Sequence, residues 1–111
     1  MKAYTDFEQS KKLAEILPIE SADMYYRNNG IDAKLMWEHN TPEVKYPCWS
    51  LAVLLEILYY PQLSKDKLGG GKEGWMVSVY QNDCRYDSCW HDNPVDACYE
   101  MVIKLRELNM L

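Results

Sequence analysis

The sequence predicts an α+β domain in the order α-β-β-α-β-β-α, with a four-stranded, mostly antiparallel sheet and its helices packed on one face. Three observations lead there. Residues 75–81 alternate between two sets of side chains, Trp75, Val77 and Val79 against Met76, Ser78 and Tyr80, the period of a strand. The pair Asn29-Gly30 separates two segments rich in apolar residues, the signature of a tight hairpin. Asn93-Pro94 opens a stretch in which Val95, Cys98, Met101, Val102, Leu105 and Leu108 recur at helical spacing.

Taken in order, the first helix is expected over residues 6–17. Thr5 and Glu8 have the spacing of a capping box; Phe7, Leu13, Ala14 and Leu17 share a face, and Pro18 ends the helix. Hairpin strands follow at 23–28 and 31–37, joined by a type I′ turn at Asn29-Gly30. Residues 38–47 are polar with two prolines and read as a loop. Residues 49–58 form a second helix, apolar almost all round and therefore expected in the middle of the core. Residues 65–73, KDKLGGGKE, read as a flexible surface loop. After the strand at 75–81, Asn82-Asp83 is a turn and residues 84–90 return as the partner strand. The last helix spans 94–108: Asn93 suits the N-cap, Pro94 the first helical position, and Asp96 the positive end of the helix dipole.

At 111 residues the chain has the size of one domain, 1–111, and is long enough to fold without a disulfide or metal. Its hydrophobic fraction is 48%, ample for a core. Twelve basic residues stand against 17 acidic ones, a net charge of −5, which disfavours binding to nucleic-acid phosphates. An acidic mimic of nucleic acid would need its acids clustered on one face. No apolar run is long enough to span a membrane, and MKAYTD lacks the apolar stretch of a signal peptide. The expectation is a cytoplasmic protein with no membrane partner, its four cysteines reduced.

Candidate chemistry is sparse. His91-Asp92 is similar to the paired ligands of metal-dependent phosphohydrolases, but the one other histidine is His39, in the loop. As a plain alternative, Asp92 stabilises the following helix N-terminus. Cys84 and Cys89 are spaced C-x4-C, wider than the usual zinc knuckle, and Cys89 with His91 could form a nucleophile pair. Asp83, Asp87, Asp92, Asp96 and Glu100 make an acidic stretch able to bind a divalent cation or simply to be solvated. Gly69-Gly70-Gly71-Lys72 fails the phosphate-loop pattern, since Asp66 occupies the first glycine position and Glu73 follows the lysine. Nothing in their spacing fixes Glu20, Asp23 and Glu38 together.

Nine Tyr and four Trp exceed what the core needs. A sheet covered on one face leaves the other open, and aromatics there would make a recognition surface. The binding residues expected on that basis are Tyr25, Trp37, Trp75, Tyr80, Tyr86 and Trp90. The functional expectation is a non-enzymatic domain that binds a protein or peptide, or dimerises, through an aromatic sheet face. No catalytic residue, cofactor or metal ligand is assigned. The alternative is a small metal-dependent hydrolase using His91, Asp92 and nearby acids.

Three segments, FEQSKKLAEILPIESADM (7–24), CWSLAVLLEIL (48–58) and DNPVDACYEMVIKL (92–105), together about two-fifths of the chain, carry a likeness to known sequences. On them the chain resembles a group of small uncharacterised proteins common in gut anaerobic bacteria and their phages or other mobile elements. The resemblance implies an intracellular bacterial or phage setting. That group has no assigned activity, so no functional residue follows from it.

Overall fold

The computed structural model describes residues 2–27, 32–35 and 46–111. The first helix, α1 (Phe7–Ala14), begins one residue later than the capping-box reading places it. Asp6 is its N-cap: Oδ1 accepts from Gln9 N at 2.8 Å, and Gln9 Oε1 accepts from Asp6 N at 3.1 Å. The capping box is therefore Asp6/Gln9, not Thr5/Glu8. Thr5 is buried instead. Its Oγ1 lies 2.7 Å from Ser10 Oγ and accepts from Trp49 N at 3.2 Å, so its hydroxyl holds the N-terminal arm to the start of the second helix.

The expected hairpin forms. Strand β1 (Met24–Arg27) pairs antiparallel with β2 (Asp32–Leu35), Arg27 opposite Asp32. The Asn29-Gly30 turn lies outside the described residues. On its other side β1 pairs with β3 (Tyr46–Cys48), which the sequence reading assigns in part to loop and in part to unassigned chain. Pro47 hides this strand, because proline has no N–H for the ladder. In the sheet order β2-β1-β3 the strand lies at an edge, where that donor can be spared.

Helix α2 (Leu51–Ile57) is shorter than 49–58. Ser50 is its N-cap, accepting from Val53 N at 3.3 Å, while Asp23 accepts from both Ser50 N (2.9 Å) and Ser50 Oγ (2.5 Å). Trp49 precedes the helix, fully buried, with its indole N–H on Ser21 Oγ at 2.9 Å. Leu54 is buried and Leu51, Val53, Leu55 and Ile57 pack partly against the core, whereas Ala52 and Glu56 are exposed.

The second sheet has the order β4-β5-β6, with β4 (Gln62–Lys67), β5 (Glu73–Gln81) and β6 (Cys84–Asp87). Strand β4 takes the start of the segment expected to be a loop. Its sequence, QLSKDK, carries no apolar alternation because it is a mostly exposed edge strand, where charges discourage pairing with other chains. The turn at Asn82-Asp83 is confirmed, with φ of +53° and +62° between the paired Gln81 and Cys84, the left-handed pair of a type I′ hairpin.

Among the described residues, the expected single four-stranded sheet is thus replaced by two antiparallel three-stranded sheets, and the order becomes α-β-β-β-α-β-β-β-α. The repeat is one of element count only, since the two sheets differ in strand order. The last helix, α3 (Pro94–Glu107), matches its expectation: Asn93 Oδ1 accepts from Asp96 N at 2.9 Å, and Pro94 stands in the first turn. Val95, Cys98, Met101, Val102 and Leu105 on α3 meet Val77 and Val79 of β5, Leu54 of α2 and Leu13 of α1 in the main core. A smaller cluster joins Met24, Tyr26 and Cys48 with Phe7 and Tyr46. There Phe7 meets Tyr26 edge-on at 5.6 Å and Tyr46 at 5.1 Å, contacts worth about 0.5–1.5 kcal/mol each beyond area burial.

Candidate functional site

The site begins with a strand irregularity. Ser78 pairs with Asp87, and Trp75 pairs with His91. Three steps along β5 therefore face four steps along the chain after β6, which makes a β-bulge. Paired residues share a face of the sheet, so an even ladder would set Trp90 opposite Trp75 and turn His91 to the other face. The extra residue reverses this. His91 joins Trp75 on the side of α3, and Trp90 is 41% exposed. Ser88 makes the bulge possible, as its backbone N donates to Val77 O at 2.9 Å and its Oγ accepts from Val77 N at 3.0 Å. Two backbone bonds between Trp75 and His91, at 2.7 and 2.8 Å, then fix His91.

So placed, His91 Nε2 lies 2.7 Å from Glu100 Oε1 on α3. A carboxylate can only accept, so Nε2 carries the proton. Burial pushes the Glu100 carboxyl up, but the His91 bond and the Cys89 N–H outweigh it and hold it below the ordinary carboxylate range.

One turn earlier, Asp96 makes the second polar node. Its Oδ1 accepts from Lys2 Nζ and from Gln9 Nε2, both at 2.8 Å, and its Oδ2 accepts from Asn93 Nδ2 at 2.9 Å. Burial acts against ionisation here too, and the three bonds overcome it, so Asp96 is also lowered. Lys2 is raised: burial lowers it, but its bonds to Asp96 and Asp6 prevail. With Gln9 Oε1 at 2.8 Å and Asp6 Oδ2 at 3.1 Å, its ammonium has three acceptors.

Asp96, Tyr99, Glu100 and Ile103 line one stripe of α3 at the i, i+3, i+4, i+7 spacing. With Gln9 of α1 and His91 they enclose a cleft of about 390 Å³. Tyr99 and Ile103 give it an apolar wall between two prepaired polar nodes. Among the described residues the Tyr99 hydroxyl and His91 Nδ1 make no hydrogen bond, which leaves both available to a ligand.

The aromatic residues named from the sequence are not brought together. Tyr25 is fully buried in β1. Trp75 lies on the helix-covered side of the second sheet, half-buried under Lys65 Nζ at 5.1 Å from its ring. Tyr86, opposite Val79, packs against the main core. Tyr80 stands on the other face, 41% exposed, beside a Ser78–Asp87–Arg85 hydrogen-bond network. Trp90 is at the bulge, and Trp37 lies outside the described residues, as do His39 and Glu38. Strand alternation divides this set between faces.

The chemical candidates separate in the same way. Asp92 is exposed, and the partner of His91 is Glu100. Cys84 and Cys89 are exposed free thiols; Cys48 and Cys98 are buried, with burial pushing Cys98 up to about 12. Among the described residues no group of three His, Cys, Asp or Glu side chains is arranged to hold a metal ion. Asp23 is engaged in capping through Ser50. Lys2, Gln9 and Ile103 are not singled out by the sequence reading, which counts Tyr99 only among the surplus aromatics. The signal available was the Asp96/Tyr99/Glu100/Ile103 stripe on the helix face opposite the apolar one.

Comparisons with known proteins find no matching family model, curated protein or solved structure. No helix among the described residues is long and apolar enough to cross a membrane.

Proposed function

We propose that the chain is a non-enzymatic binding domain for a protein or peptide and that it receives its partner in the α1–α3 cleft. The observation that supports this reading is the cleft itself, where a half-apolar wall lies between polar groups already oriented by their neighbours. Preformed concavities with a few fixed polar groups are the usual form of ligand sites. The aromatic sheet face is the weaker place for the partner, because alternation leaves Tyr80 apart from Trp75 and Tyr86. The resemblance to the gut-anaerobe group belongs to this reading as well. Its three segments cover α1, α2 and most of α3.

One observation favours a hydrolytic second reading: the His91–Glu100 pair is the kind of carboxylate-oriented imidazole that serves as a general base. Against it, Ser88 Oγ and Ser50 Oγ are engaged elsewhere, and among the described residues no hydrogen bond joins Cys89 Sγ to His91.

The test is a random-peptide display library panned against the folded chain. Enriched peptides should shift the NMR signals of Tyr99, Ile103 and His91 and lose affinity for Tyr99→Ala. Peptides that bind Tyr99→Ala unchanged but fail on Tyr80→Ala would move the site to the sheet, and an absence of enrichment would sink the reading.

A further inference from the structure

Resting on that reading, we infer that the cleft takes a basic side chain, a lysine or arginine carried on an exposed segment of a partner protein. The first argument is size. A volume of about 390 Å³ is at the small end of ligand sites, room for one or two side chains but not for a folded surface.

The second argument is charge. Asp6 and Asp96 share the Lys2 ammonium, and Glu100 stands one turn along α3 with no lysine or arginine bonded to it among the described residues, so carboxylates outnumber ammonium groups at the cleft and its rim. Both lining carboxyls are held in their ionised forms by their hydrogen bonds. An anionic ligand is repelled and a cationic one attracted, in keeping with a chain of net charge −5.

The third argument is shape. A lysine or arginine has an apolar stem and a charged head. Tyr99 and Ile103 offer the stem a wall, and the Tyr99 ring offers the cation a π face. The chain supplies its own precedent, since Lys2 reaches Asp96 across 94 positions of sequence and finds three acceptors at 2.8 to 3.1 Å. The Asp96 end is thus filled by an internal lysine. The Glu100 end is open to a second one, because Glu100 Oε2 accepts only the Cys89 N–H, at 3.0 Å, among the described residues.

The experiment compares three capped heptapeptides, Gly-Gly-X-Gly-X-Gly-Gly, with X as lysine, norleucine or glutamate, titrated into the chain and followed at the Tyr99 and His91 resonances. The lysine peptide should bind at least about tenfold more tightly than the norleucine peptide, as for the loss of one charge-assisted bond. That advantage should shrink as salt is added, and the glutamate peptide should not bind. Glu100→Gln should remove the lysine advantage; Ile103→Ala, which leaves the His91–Glu100 pair in place, should weaken lysine and norleucine peptides alike. Equal binding of lysine and norleucine peptides at the cleft overturns the inference while leaving the cleft as the binding site. Preference for glutamate overturns it too. Failure of all three peptides, together with failure of the display selection, overturns both.

Discussion

His91 and Glu100 meet at 2.7 Å only because the strand before His91 carries one residue more than its partner. The bulge is thus the local cause of the site, and Ser88 is the residue that closes it. Replacing Ser88 with alanine leaves the buried Val77 N–H without an acceptor and should cost about 1–3 kcal/mol in urea denaturation. Deleting Cys89 should be milder for the site. Three steps on each strand then set His91 opposite Trp75 without a bulge, so the dependence of the His91 ring signals on Glu100→Gln should survive.

The two nodes of the cleft set a pH window. Asp96 and Glu100 are both lowered, so their stabilisation is present above the unfolded carboxylate values of about 4 and lost as pH falls through the folded ones. Lys2 is raised, so its contribution is complete below its unfolded value of about 10.4 and lost as pH rises through the folded one. Urea midpoints measured from pH 2 to 11 should therefore fall at both ends. Lys2→Met should flatten the alkaline limb. A variant with both limbs unchanged would show that the Lys2–Asp96 bond contributes nothing.

The two sides of β5 and its helix should answer substitution very differently. Met101 is fully buried against the second sheet, and Met101→Ala should cost about 2–5 kcal/mol. Tyr80 is on the uncovered face, and Tyr80→Ser should stay within about 0.5 kcal/mol. A large loss at Tyr80, read by thermal unfolding, would mean that this face is covered in solution, as a dimer would cover it.

Thr5 is a hydroxyl in the wrong place for a helix cap and the right one for an anchor. Thr5→Val keeps the shape but strips partners from Ser10 Oγ and Trp49 N, and should cost about 1–3 kcal/mol. Thr5→Ser should recover most of that loss in the same melts, while Glu8→Ala, at the rejected capping position, should be nearly silent.

Asp83 holds a left-handed φ of +62° in the two-residue turn. Glycine reaches that region without a Cβ clash, so Asp83→Gly should raise stability by about 1 kcal/mol. A loss instead would show that the aspartate side chain supports the turn.

The legible parts of this fold are those in which local chemistry and tertiary burial agree. Asn93-Pro94, the Val77/Val79 alternation and the Asn82-Asp83 turn each declare their structure over a few residues. What escaped detection lay at edges. Pro47 and the QLSKDK strand carry no apolar alternation because one side of an edge strand has little to bury. The site was half legible. His91, Asp96 and Glu100 were in view, but not their pairing: Glu100 is 9 positions from His91, and Lys2 and Gln9 are 94 and 87 positions from Asp96. A single inserted residue also inverted the side on which His91 stands, and strict alternation cannot register such an insertion.

The reach of Lys2 also bears on the order in which the chain assembles. The second sheet closes through a two-residue turn at Asn82-Asp83 and the short turn around Gly69–Gly71, so its contacts are local and cheap in loop entropy. The arm that carries Lys2 and Thr5 can dock only after α2 and α3 exist to receive it. It is the natural last piece to fold and the first to let go. The Asp96 node of the cleft is then completed only in the fully folded chain. A partially opened molecule with the arm released keeps its hairpins, and it uncovers an Asp96 carboxylate that a foreign lysine can claim.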